Sequence, residues 1–180
     1  MSPLPVDLGD GAILRRLRMD DLEEIWAAVE ADRPRLSLWM TWIADTRTID
    51  DEREWLDRVV ADERSLEGCG VFLADRYVAG VGLMPEVFGI SGEIGYWIRS
   101  EFEGRGFVTR AVRALIGIGF RELGLHRIVI RAGTDNVRSR AIPERLGFTE
   151  EGIARGAGRG AMGFYDLVVY SLLEHEWPRP

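Results

Sequence analysis

The chain predicts a mixed α+β domain, a mostly antiparallel, twisted sheet of about seven strands flanked by about four helices. Three observations predict it. The runs GVFLAD, YVAGVGLM and GEIGYWIR follow one another between turn residues and read as an antiparallel meander. A long apolar helix, a strand, a shorter helix and two more strands come after them. With 46% hydrophobic and 29% charged residues, the composition is that of a chain that buries a core, and 180 residues fit a single domain spanning 1–180.

Each element has its own signal. AILRRLR, from Ala12 to Arg18, reads as the first strand after a Pro-rich lead. Met19-Asp20-Asp21 suits a helix N-terminus, where acids meet a partial positive charge, and Leu22, Ile25, Trp26 and Val29 then recur at helical spacing. That helix is expected to break at Asp32-Arg33-Pro34. LSLWMTW, from Leu36 to Trp42, reads as a loop or short irregular helix. Ile49-Asp50-Asp51-Glu52 opens a second helix with Trp55, Leu56, Val59 and Val60 as its apolar stripe. After the meander, EFEGRGFVTRAVRALIGIGFRELGL is a helix entered through glycines and left at Gly124, HRIVIRA is a strand, and Asn136 to Leu146 is a shorter helix. The last strands run over Phe148–Ala154 and Phe164–Leu172, with a Gly-rich loop between them.

The formal charge of −7 argues against a nucleic-acid partner, which needs a dense basic surface. Two arginine clusters stand out locally, Arg105, Arg110 and Arg113 and then Arg138, Arg140 and Arg145. The single cysteine, Cys69, forms no intramolecular disulfide and reads as a buried strand residue, which fits a cytoplasmic protein. The start MSPLPVDLGDG has no signal-peptide pattern, and no apolar run reaches the ~18 residues that cross a bilayer, so no membrane role is expected.

The informative stretch is Gly92 to Phe148. A helix N-terminus exposes unpaired N–H groups, and glycines let a pyrophosphate come close to them. Gly104 and Gly106, with Arg105 between, supply such a cradle. The chain has no Gly-Lys-Ser/Thr of a P-loop and no strand-opening Gly-x-Gly-x-x-Gly of a dinucleotide fold.

GEIGYWIRSEFEGRGFVTRAVRAL, GLHRIVIRAGTDNVRSRAIPERLGF and FYDLVVYSL, in that order, make the chain resemble the GNAT acetyltransferase superfamily and, within it, the Rim-type branch that acetylates the N-termini of ribosomal proteins. The resemblance covers nearly the whole chain. It implies a sheet splayed in the middle and acetyl-coenzyme A as acyl donor, with no metal and no covalent enzyme intermediate. The family's loop pattern falls on Glu101, Gly104 and Gly106, so the backbone of Gly104, Arg105, Gly106, Phe107, Val108 and Thr109 is expected to bind the pyrophosphate. Glu101 stands where Gln or Arg is usual. Trp97, Ile98 and Arg99 are expected to pair with the pantetheine arm as an added strand would. Asn136 matches a cap residue that also contacts the arm, and Ser139 a residue that stabilises the departing thiolate. Where many relatives carry a tyrosine acid, this chain has Pro143, which also removes an N–H that would have bonded the Ser139 carbonyl.

Glu93 is the leading candidate for general base, as a buried carboxylate of raised pKa, with Asp166 second. Trp39, Met40, Trp42 and Tyr165 are expected to line the acceptor site. The acceptor is either a protein N-terminal α-amine or a small amine such as an antibiotic or polyamine. A non-catalytic acyl-coenzyme A sensor is the alternative that the missing tyrosine favours. Rim-type kinship also implies a possible homodimer.

Overall fold

A computed structural model describes residues 3–62, 65–85 and 90–178. The elements run β1 (Val6–Gly9), β2 (Ala12–Arg16), α1 (Leu22–Leu36), α2 (Ile49–Ala61), β3 (Leu66–Leu73), β4 (Arg76–Pro85), β5 (Ser91–Ile98), α3 (Phe107–Arg121), β6 (Arg127–Gly133), α4 (Val137–Arg145), β7 (Thr149–Gly160) and β8 (Gly163–Leu173). The eight strands lie in the order β1-β2-β3-β4-β5-β6-β8-β7, and every neighbouring pair is antiparallel except β5 with β6. The α+β class and the four helices stand as expected.

The helices cover both faces. On one side α3 packs Phe107, Ala111, Val112, Leu115 and Ile116 against Leu14, Val71, Leu83, Ile94 and Ile128. On the other, α1 and α2 contribute Ile25, Ala28, Val29, Leu56 and Val59, which meet Phe72 and Tyr77. Burying a side chain of this size contributes about 1.5–3 kcal/mol, so the two clusters together fix the layer order.

Three expectations are corrected. The Pro-rich lead contains an eighth strand, because Val6–Gly9 pairs with β2 around a turn that puts Asp10 and its flanking glycines at positive φ. The first helix does not break at Asp32-Arg33-Pro34 but runs to Leu36. Its last turn is held from outside: buried Asp32 accepts from Arg35 Nη2 (3.0 Å) and from the Ser100 N–H (2.7 Å), and Arg33 Nη1 donates to the Ile43 carbonyl (3.2 Å). Burial acts to raise the Asp32 pKa, but these hydrogen bonds outweigh it and hold the group below its ordinary value. Finally, the Gly-rich tract is strand and not loop. A Cβ on Gly158 would stand 2.1 Å from the Tyr165 ring and one on Gly160 would stand 2.1 Å from the Leu38 carbonyl, so glycines there let side chain and backbone lie flat on β7.

Candidate active site

The parallel pair β5–β6 is in register only for Ser91, Gly92 and Glu93 opposite Arg127, Ile128 and Val129. Beyond that point β5 stays with β4 as far as Ile98 opposite Ala79, while β6 stays with β8 as far as Gly133 opposite Leu167. The two strands therefore part. A cleft of about 290 Å³ fills the gap, lined from both sides by residues that include Glu93, Tyr96, Gly133, Asn136, Ser139 and Tyr165.

The gap exposes strand edges. The Arg99 N–H bonds the Val78 carbonyl on the β4 side, and the Ile98 carbonyl accepts from the Arg35 guanidinium on the other side. By alternation the backbone polar groups of Tyr96 and Ile98 face the gap, whereas those of Trp97 and Arg99 face β4. Of the three residues expected beside a pantetheine arm, only Ile98 presents its backbone there. The Arg99 guanidinium is occupied as well, by Glu24 (2.9 Å), Glu101 (2.7 Å) and the Tyr77 carbonyl (3.1 Å). Glu101 also meets Arg76 at 3.0 Å, so the acid that replaces the usual Gln or Arg of the loop ties β4 to β5's end.

Helix α3 begins at Gly106, which has φ 75° and no capping side chain; Gly104, two residues earlier, has φ 74°. No acidic residue stands in the first turn. The N–H groups of Phe107, Val108 and Thr109 therefore lie at an uncapped, partially positive end. A Cβ at either glycine would meet nothing within 4 Å, so the space before the helix is open. Phe107 and Val108 bury their side chains and anchor that backbone. Arg105 lies over the rings of Phe102 (5.5 Å) and Phe107 (5.0 Å), a cation held at the mouth of the cradle. These residues fit a diphosphate. The other arginines divide: Arg110 pairs with Asp10 at 2.7 Å, Arg113 lies over Trp177, Arg138 pairs with Glu103, Arg145 reaches Thr109 Oγ1 at 3.2 Å, and Arg140 is tied to the Tyr170 hydroxyl and the Thr134 carbonyl.

At the opposite wall α4 starts on Asn136, whose side chain accepts the Ser139 N–H at 3.2 Å. The Ser139 hydroxyl donates to the Tyr96 hydroxyl (3.2 Å), which donates in turn to the Ser139 carbonyl (2.9 Å). That carbonyl is the one for which Pro143 has no N–H to offer. Tyr96 thus completes the helix that Pro143 interrupts and brings a phenol to the residue expected to meet the thiol. Its burial raises its pKa, opposed by the Ser139 hydrogen bond, so the phenol stays protonated.

Glu93 lines the cleft, but its carboxylate is shared with the Arg131 guanidinium, whose Nε lies at 3.0 Å. Residue 131 on β6 falls just past the last paired rung, which sets the two side chains across the gap. Asp166 accepts the Gly156 N–H at 2.7 Å. Trp39, Met40 and Tyr165 line the same cleft; Tyr165 donates to the Trp39 carbonyl (2.6 Å), the rings meet edge to face at 5.4 Å, and burial raises the Tyr165 pKa. Trp42 stands apart from these, against Trp97 at 6.2 Å. Cys69 is buried, which pushes its thiol up to about 12 and away from reactive thiolate chemistry.

Two residues escaped the sequence reading. The signal for Tyr96 was the carbonyl that Pro143 leaves unpaired. Glu52, buried in α2, shares the apolar stripe of Leu56 and Val59 at i+4 and i+7, a spacing that could have found it.

Among the described residues no cluster of three metal-ligating side chains occurs, and no described helix is long and apolar enough to cross a membrane. A splayed sheet with an uncapped glycine-led helix beside it defines the N-acetyltransferase class, and comparison with known proteins gives the family. The Acetyltransferase (GNAT) domain family matches residues 12–149, and the chain belongs to it. It is 37% identical over 170 residues, 91% of this chain and 92% of the relative, to "Putative ribosomal N-acetyltransferase YdaF" of Bacillus subtilis (strain 168). Among solved structures, a "Probable acetyltransferase" crystal structure superposes with TM-score 0.87 at 35% identity, covering 97% of this chain and 99% of that one. A RimL ribosomal L7/L12 alpha-N-protein acetyltransferase in complex with coenzyme A shares the fold at TM-score 0.85 and 19% identity, covering 94% and 98%.

Proposed function

We propose that the chain transfers the acetyl group of acetyl-coenzyme A directly to a primary amine, a protein N-terminal α-amine first among them. The observation that carries this reading is three features around the parting of β5 and β6: the uncapped start of α3, which follows β5 in the chain, the β5 edge at Tyr96 and Ile98 that β6 leaves, and the Ser139–Tyr96 hydroxyl pair. The diphosphate lies on the Gly104–Thr109 backbone and the thiol arm runs along β5. The amine nitrogen bonds to the thioester carbon, the carbon–sulfur bond breaks, and the amine proton leaves to water or a carboxylate. The Ser139 hydroxyl, which donates to Tyr96 in the free chain, turns its one proton to the departing sulfur and stabilises its charge, while Tyr96 keeps its bond to the Ser139 carbonyl. An α-amine, with a reference pKa of about 8 against about 10.4 for lysine, is neutral often enough to attack with little help, which suits a site whose Glu93 is engaged by Arg131.

Kinship with a named ribosomal N-acetyltransferase supports the protein acceptor. A cytoplasmic site of action and a homodimer belong to the same proposal, the latter open to light scattering. The sensor alternative rests on Pro143, and Tyr96 supplies a phenol from β5 in place of the missing one. Thiol release from acetyl-coenzyme A, measured with N-terminal peptides and small amines, tests the reading. Turnover with α-amine peptides supports it, turnover with small amines alone moves the acceptor to that class, and silence with every amine while the cofactor still binds leaves the sensor.

A further inference from the structure

A second cavity, about 430 Å³, opens on the α1–α2 face of the sheet and shares Met40, Gly95 and Tyr96 with the cleft. Its walls are aromatic and apolar: Trp42, Trp55, Trp97, Tyr77, Met84 and Ile25. Gly80 keeps the Trp97 indole and the Tyr77 hydroxyl in place, since a Cβ there would stand 2.4 and 2.7 Å from them. Two carboxylates line it, Glu67, which pairs with Arg58, and Glu52, which is only 4% exposed and without a hydrogen-bond or ion-pair partner among the described residues.

A carboxylate buried in an aromatic-walled cavity costs stability unless something cationic joins it. Burial raises the Glu52 pKa to about 7, with Arg33 on α1 acting weakly in the other direction. The remaining charged and titratable groups at the chamber are Arg58 and Glu67, which pair with each other at 3.3 Å, with Cys69 and Tyr77. None of them neutralises Glu52. Aromatic faces around a carboxylate are the chemistry that recognises an organic ammonium ion, through ring quadrupoles and a buried counter-charge together.

We infer that this chamber binds an organic ammonium group carried by the acceptor, apart from the amine that is acetylated, with Glu52 as counter-charge and Trp42, Trp55 and Trp97 as cage. The preferred acceptors are then amines bearing a second cation a short distance away. The identity of the amine as acceptor rests on the proposed function; the binding of an ammonium group does not.

The test uses the full chain at pH 8, where Glu52 is charged, and titration calorimetry with choline and its neutral isostere 3,3-dimethyl-1-butanol. Choline is expected to bind at least tenfold more tightly, and Glu52→Gln, an isosteric change checked for fold by circular dichroism, is expected to abolish that preference. Trp55→Leu, which opens one wall and keeps the carboxylate, should weaken choline several-fold. Equal binding of the two probes, or a choline preference that survives Glu52→Gln, overturns the inference whatever the outcome of the transferase assay. If transfer is observed, KM for diamine and basic-peptide acceptors should rise about tenfold in Glu52→Gln with kcat kept, whereas monoamine kinetics stay unchanged. A KM that rises equally for both kinds of acceptor overturns the assignment of the second cation.

Discussion

Helices α2 and α3 begin in opposite ways. At α2, Thr48 accepts the Asp51 N–H at 3.2 Å, Asp51 accepts the N–H groups of Arg47 and Thr48 at 2.8 Å, and three acidic residues occupy the first turn. At α3, a left-handed glycine holds the cap position, it offers no side chain to the N–H groups of the first turn, and no acid stands in that turn. The first end is closed by its own side chains. The second leaves the same donors unanswered in front of open space, which is what a helix end does when its partner is a ligand. The difference separates a residue that serves stability from one that serves binding.

That contrast can be broken in several places. Replacing Gly106 with Val forces a β-branched residue to φ near 75° and crowds the cradle; acetyl-coenzyme A affinity is expected to fall about a thousandfold, roughly 4 kcal/mol, in calorimetry, with the thermal midpoint lowered only modestly. Glu52 should show the next largest effect, on stability rather than on the cofactor. Its folded pKa of about 7 lies above the ordinary glutamate value of 4.5, so between those values the folded chain binds more protons than the unfolded one and stability falls as pH rises. Glu52→Gln should therefore stabilise the chain by up to roughly 3 kcal/mol at pH 8 and by almost nothing at pH 4, read as paired denaturation curves.

The hydroxyl pair sharpens the comparison within the site. Ser139→Ala is expected to lower kcat by roughly 10–100-fold, about 1.4–2.7 kcal/mol, with KM for acetyl-coenzyme A little changed, because the interaction strengthens as the sulfur takes charge. Tyr96→Phe should do less to kcat and more to stability, since it strips the Ser139 carbonyl of its donor. The smallest change belongs to the closed helix end: Thr48→Ala should cost about 1 kcal/mol in stability and leave cofactor affinity untouched.

Much of this was legible in the chain. The meander, the long helix entered through Gly104 and Gly106, the opening of α2 at Ile49 and the cap on Asn136 all follow from local rules, because turns and helix ends are decided by residues close in sequence. What escaped was decided at a distance. Pro34 reads as a break, yet α1 continues through it because Asp32 reaches Ser100 across the fold. The glycines at 156, 158 and 160 read as a loop, yet they lie in strand β7, where Tyr165 packs on Gly158 and the Leu38 backbone on Gly160. Glu52 looks like one more acid of a helix start, and only the packing of α2 on the sheet turns it inward. Glu93 looks like a lone carboxylate until the parting of β5 and β6 sets Arg131 opposite. Local chemistry marked the proposed cofactor path, whereas the surroundings of the proposed acceptor depend on contacts between elements far apart in the chain.

Amide hydrogen exchange on the full chain, with and without coenzyme A, tests the central claim most directly. Protection confined to the Gly104–Thr109 amides that lead into α3 and to Tyr96 and Ile98 on β5, with the already capped start of α2 unmoved, is the predicted result. Unchanged exchange at the start of α3 under saturating coenzyme A would contradict it.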